Sequence, residues 1–219
     1  MGVYENIKNA IIIGEYASGY RLTEESLTKD WNVSRTPIRE ALKKLEFDGL
    51  ITSLHRGYTV RTFAKEDLRQ IYGIRALLES HAAEQAAINR HDENIKMMHR
   101  ANEDYKKALE QNSIDQLTQK KAIVDANKSF HDAVINASQN EHVRDLIGKV
   151  VVLPLVFRSF YWLNKEEIQQ SLQTHQIILR AIEEKDAIRS KAAMHEHIFR
   201  GRDNVLYHLK EDKNDDLSM

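Results

Sequence analysis

The chain has 219 residues, 42% of them hydrophobic and 30% charged, enough to bury one large core or two small ones. A formal net charge of −1 gives no general attraction to nucleic acid or membrane, and the absence of cysteine excludes disulfides, thiolate metal sites and cysteine nucleophiles. The amino terminus lacks an apolar signal core, and the most apolar run, 150–157, is too short to span a bilayer, so a cytosolic protein is expected. In chain order, Val3, Ile7, Ala10 and Ile11 recur at helical spacing before Gly14, which predicts a short first helix. "SGYRL" reads as a turn. Thr23 is placed to cap a second helix with Leu27 and Trp31 inward, ending near Asn32. The third helix lies in "NVSRTPIREALKKLEFDGL", where Ile38, Leu42 and Leu45 form a core stripe and Asp48-Gly49 closes it. Two short strands, "LITSL" and "YTVRT", flank "HRG", with Gly57 suited to the tight turn. Three short helices and a hairpin over residues 1–63 describe a winged helix-turn-helix, a DNA-binding unit.

From Ala64 onward strand alternation disappears. Amphipathic segments at roughly 66–88, 92–111, 114–138, 140–162, 164–185 and 187–209 predict an antiparallel bundle of about six helices. The fold is therefore expected to be mainly α, with a second domain over residues 66–210. Short polar connections such as "QNS" join the helices, Pro154 should kink the fourth, and residues 211–219 read as an acidic tail.

The third helix concentrates chemistry at one end. Pro37 is tolerated only in a first turn and disfavours helical geometry at Thr36, so the cap is either Ser34 or Thr36. Hydroxyls and free backbone N–H groups then gather at a positive helix end, which suits a phosphate. Arg35 and Arg39 share a face with Lys43 one turn on, opposite the apolar stripe. From Lys29 to Arg61 seven basic residues stand against four acidic ones. Such a face is often only solvated charge. Placed third of three helices and followed by a wing, it reads as a DNA-contacting edge, with His55, Arg56 and Gly57 at the wing tip positioned for a minor groove.

Ten histidines are many for this length, and three interrupt apolar stripes. His131 shares a stripe with Ile123, Asn127 and Val134; His175 lies with Leu172, Leu179 and Ile182; His197 aligns with Met194 and Gly201. Each interruption is unfavourable unless paired or liganded. Separately satisfied core histidines are one reading. A shared site of neutral imidazoles and an oxygen ligand, suited to Zn, Ni, Mn or Fe, is the other.

"LTEESLTKDWNVSRTPIREALKKLEFDGLITSLHRGYTV" strongly resembles the winged helix-turn-helix of the GntR family, with its L-x-E-x-x-L, V-S-R-T-P-V-R-E-A-L and R-G elements. That resemblance implies DNA contacts at Arg35, Thr36, Arg39 and Gly57. Early in the second helix, where some relatives carry arginine, this chain has Glu25 and Ser26. The remainder resembles the FCD ligand-binding domain of the family's FadR-like branch through "DLRQIYGIRALLE", "NKSFHDAVINASQN", "THQIILRAI" and "AAMHEHI". The resemblance carries metal ligation to Asn127, His131, His175 and His197. Many relatives have aspartate at the first position, and a neutral amide there leaves the ion its full charge. An anionic, carboxylate-type effector could complete the coordination. Arg75, inward on the opening bundle helix, either meets that anion or forms a structural ion pair.

The resulting expectation is a transcription regulator without enzymatic activity. It would act as a repressor, bind a palindromic operator as a homodimer, and respond to a small organic acid at a divalent transition metal. The alternatives are a regulator whose metal is purely structural or absent, and a metal-dependent hydrolase. Against the hydrolase, "HEH" at 195–197 lacks the H-E-x-x-H spacing, and no glutamate base is evident beside His131 or His197.

Overall fold

The computed structural model describes residues 2–12, 14–111, 115–150 and 163–215, and the chain divides between Ala64 and Lys65 into two units. The first begins with α1 (Val3–Ile12), β1 (Arg21–Leu22), α2 (Glu24–Trp31) and α3 (Arg35–Phe47), followed by β2 (Ile51–Ser53) and β3 (Tyr58–Val60). Thr23 caps α2 as its sequence requires: Ser26 N donates to Thr23 Oγ1 at 3.0 Å, and Asn32 ends the helix in the left-handed region at φ 50°. The cap of α3 is Ser34, in extended geometry and without a side-chain capping bond, so Pro37 falls in the first turn. Ile7, Leu22, Leu27, Ile38, Leu42 and Leu45 are wholly buried together, and Tyr4 hydrogen-bonds the Asp48 carboxylate to tie α1 to the end of α3. Where "SGYRL" is expected only to turn, Arg21 and Leu22 form a strand. It pairs antiparallel with β3, making a three-stranded sheet of order β1-β3-β2. Two residues are too few for alternation to register; the bonds Gly19 N to Val60 O and Val60 N to Tyr20 O hold them in place.

The described elements of the second unit are all helices. Its elements are α4 (Lys65–Asn89), α5 (Asp92–Glu110), α6 (Gln116–Ala137), α7 (Glu141–Val150), α8 (Lys165–Glu183) and α9 (Ala187–Asp215). Caps mark the entries: Asp115 receives Thr118 N, and Asn164 and Glu167 form a reciprocal box. Helix α4 packs against α6, α7, α8 and, most extensively, α9, while α5 lies on α6 and α8. At the α4–α9 contact Ser190 Oγ donates to Ala83 O at 3.1 Å, and the small residues Ala76, Ala86 and Ala87 are buried on the same side of α4 as Ala83. Helix α9 continues to Asp215, so residues 211–215, expected as tail, extend a helix already nucleated. Pro154, much of "QNS" and residues 216–219 lie outside the described residues. Among the described residues, no helix is long and apolar enough to cross a membrane.

Candidate DNA-reading surface and imidazole site

Helix α3 separates packing from reading by its periodicity. Ile38, Ala41, Leu42 and Leu45 are buried, whereas Ser34, Arg35, Thr36, Arg39 and Lys43 are exposed. Arg39 is not a loose side chain. Its Nε and Nη2 donate to Glu24 Oε1 and Oε2 at 2.9 and 3.1 Å, a bidentate clamp from the first turn of α2. The hydrogen bond from Arg39 holds the Glu24 carboxyl below its ordinary range. Glu24 is the glutamate of the L-x-E-x-x-L element, and sequence reasoning left it without a role.

The wing tip is fixed from beneath. Leu54 N donates to Gly57 O at 2.9 Å, and Arg21 Nη2 donates to Arg56 O at 2.8 Å, leaving His55 and Arg56 exposed. Gly57 has φ +86°, and a Cβ there would lie 2.7 Å from Leu22 O. The close approach that glycine permits is thus to the chain's own β1.

In the second unit His131 (α6), His175 (α8) and His197 (α9) meet. His197 Nε2 lies 3.2 Å from His131 Nε2 and 3.3 Å from His175 Nε2, and all three ligand atoms fall within 4.8 Å of one another. Asn127 is buried one turn before His131 on α6. His195, on the other side of α9, sets its ring against Phe199. The phenylalanine of "NKSFH", Phe130, stacks on His175 at 4.1 Å and 12°. Behind the imidazoles lies a residue the sequence reading did not single out: Glu79 of α4, 1% exposed. Its Oε2 accepts from His131 Nδ1 at 2.6 Å and its Oε1 from Arg75 Nε at 2.9 Å. Of the two roles open to Arg75, the structure displays the ion pair. The signal was available, because Arg75 and Glu79 are four apart on an inward stripe.

The electrostatics follow from this packing. Burial first, then the neighbouring His197 and His131, depresses His175 well below the ordinary histidine range. Burial and His131 bring His197 down to about 3, with Glu79 opposing. Burial works to raise Glu79, but Arg75 and His131 outweigh it and hold the carboxyl at about 2. His175 and His197 are therefore neutral imidazoles, and the cluster is backed by a buried carboxylate that Arg75 neutralises. Glu79 accepts a hydrogen bond from His131 Nδ1, which leaves Nε2 as the ring nitrogen turned toward the cluster.

This donor set fits a transition metal. Neutral imidazole nitrogens about 2.1 Å from an ion stand about 3.0–3.4 Å apart for right-angle to tetrahedral placement. Two of the three spacings match, and a single His197 proton could not serve both neighbours.

Together the units define a winged helix-turn-helix DNA-binding protein with an all-helical second domain. Residues 1–60 match the model for bacterial regulatory proteins of the gntR family, and residues 70–200 match the FCD domain. The chain belongs to the GntR family, with an FCD domain as its second part. It is 28% identical to the HTH-type transcriptional regulator YdhC of Bacillus subtilis, over 94% of this chain and 89% of that one. It is 25% identical to the gluconate operon transcriptional repressor of the same organism, over 91% and 82%. Among solved structures, Escherichia coli McbR/YncC superposes with a TM-score of 0.74 at 23% identity, covering 95% of this chain and 96% of that one, a likeness of fold. These relatives regulate transcription and are not enzymes.

Proposed function

We propose that the chain acts in the cytoplasm as a homodimeric repressor that binds a palindromic operator and releases it when a small carboxylic acid binds at a metal ion in the FCD domain. In the reading unit, Arg35 and Arg39 serve as base-reading groups, with Ser34, Thr36 and Lys43 on phosphates and His55, Arg56 and Gly57 at the wing's minor groove. Exposure of the α3 residues opposite a buried stripe supports that assignment. Two half-sites read by two copies follow from the geometry of this motif.

The sensing half rests on one observation: three buried imidazole nitrogens converge in front of a buried Arg75–Glu79 pair. His131, His175 and His197 would hold the ion, with the Asn127 amide as an oxygen donor. When bound, a divalent transition metal supplies a Lewis-acidic centre that attracts a carboxylate. Glu79 keeps the His131 proton on Nδ1, Arg75 neutralises Glu79, and Phe130 fixes the plane of the His175 ring. Arg75 thus works through Glu79 rather than as an isolated cation. Four helices contribute to this cluster, so a ligand that binds one arrangement of them more tightly shifts the population of the whole domain.

Elemental analysis of purified wild type and His131→Ala tests the metal. Wild type is expected to carry or accept about one transition-metal ion per chain, and the variant markedly less. No stoichiometric metal in either protein after loading would leave three core histidines and remove the sensing mechanism.

A further inference from the structure

Helix α5 contributes a buried polar side chain that the proposed function does not use. Asn102 is 7% exposed, and among the described residues neither its Nδ2 nor its Oδ1 has a hydrogen-bond partner. An amide withdrawn from water without replacement bonds is destabilising on both its donor and its acceptor side. Asn102 shares the buried face of α5 with Met98 and Tyr105, and α5 packs on α6 and α8, which carry His131 and His175.

Contacts along these helices fix its level. At one end Gln139, just past α6, donates to Asn89 O before the start of α5; at the other, Gln119 of α6 donates to Ala108 O and Leu109 O. The helices run antiparallel, and Asn102 comes level with Asn127. Against α8, His99 meets Glu183, while Tyr105, one turn from Asn102, sets its ring edge-on to His175 at 5.6 Å. Asn102 therefore lies in the same layer as the imidazoles. A second buried group there also lacks a partner, His175 Nδ1.

We propose that Asn102 is a specificity-determining residue of the effector site and reads a hydroxyl group on the bound acid. This rests on the proposed function, because it takes the carboxylate to be held at the imidazoles. A carboxamide presents two N–H donors beside a carbonyl acceptor. A second carboxylate could use only the donors, and a hydrocarbon tail neither. A hydroxyl donates once and accepts twice, so it serves both halves, and the effector is a hydroxylated carboxylic acid rather than a simple fatty acid. Sites built to hydrogen-bond a hydroxyl reject the analogue without it, since their own polar group is then left unpaired.

Zinc-loaded wild type and Asn102→Leu, which keeps the branching of the side chain and removes both polar atoms, are titrated calorimetrically with butyrate, 3-hydroxybutyrate and 4-hydroxybutyrate. Hydroxyls at those positions cannot close the five-membered chelate that a 2-hydroxy acid forms on a metal. Wild type is expected to bind at least one hydroxy acid about tenfold more tightly than butyrate, the worth of a satisfied hydrogen-bonding group. Asn102→Leu is expected to bind all three alike. Without ligand, the variant should melt about 2–4 °C above wild type once the unpaired amide is gone. Three results would overturn the inference and leave the carboxylate site standing: no hydroxyl preference in wild type, a preference that survives in the variant, or a variant melting below wild type. If none of the acids binds the zinc-loaded wild type, the proposed function fails and the inference with it.

Discussion

Each unit contains an arginine held by a glutamate at 2.9 Å, and the two pairs differ chiefly in their access to water. The side chains of Arg39 and Glu24 are 59% and 33% exposed, whereas those of Arg75 and Glu79 are 7% and 2% exposed. In high dielectric the first pair gains little and exchanges readily, so Arg39 can leave Glu24 for a base edge or phosphate at small cost. The second cannot exchange. Breaking it strands a charge in the interior, which makes it a fixed support for His131 rather than a moving part. One chemistry thus serves for release in one place and for rigidity in the other.

The largest effect should come from Glu79→Ala, which leaves Arg75 buried without its carboxylate and His131 without its orienting acceptor. A loss of about 3–5 kcal/mol is expected in urea denaturation, together with weaker metal uptake. A loss comparable to that of an exposed pair would erase the contrast.

Acid should probe the same buried network. His197 is held at about 3 against an ordinary 6.5, so between these values the unfolded chain binds a proton that the folded chain refuses. Stability should therefore fall as pH drops below 6.5. Glu79, at about 2 against 4.5, adds a further loss below 4.5, because its carboxylate favours the folded state only while ionised. A melting temperature of the metal-free protein that stays level from pH 7 to pH 4 would contradict this.

On the exposed side, Arg39→Ala should weaken operator binding by about 1–3 kcal/mol and relax base preference, with little change in folding. A gel-shift titration matching wild type would remove Arg39 from the reading edge. The smallest effect should be that of Glu24→Gln on stability, within about 0.5 kcal/mol by denaturation. A larger loss would mean that Glu24 does more than hold Arg39.

Periodicity made the apolar sides legible. Ile38, Leu42 and Leu45 mark the buried side of α3, and the stripes that turn His131 and His175 inward place both in the bundle interior. Three inward histidines left a shared site as one of two readings, and the resemblance to known families then favoured it. Glu79 escaped because an Arg–Glu pair four apart on a helix usually decorates a surface, and its burial depends on α6 and α9 packing over it. Glu24 escaped for a related reason: its partner lies 15 residues away on another helix. Strand β1 exists only through its pairing with β3.

The alanine seam between α4 and α9 has a mechanical consequence. Small side chains and the Ser190–Ala83 bond let two long helices approach closely, so they should travel as one beam. That beam carries Glu79 and His197, while His131 and His175 stand on separate helices facing it. A ligand drawn to all three imidazoles would pull across this joint. Along the chain only Arg61–Ala64 separate strand β3 from the start of α4.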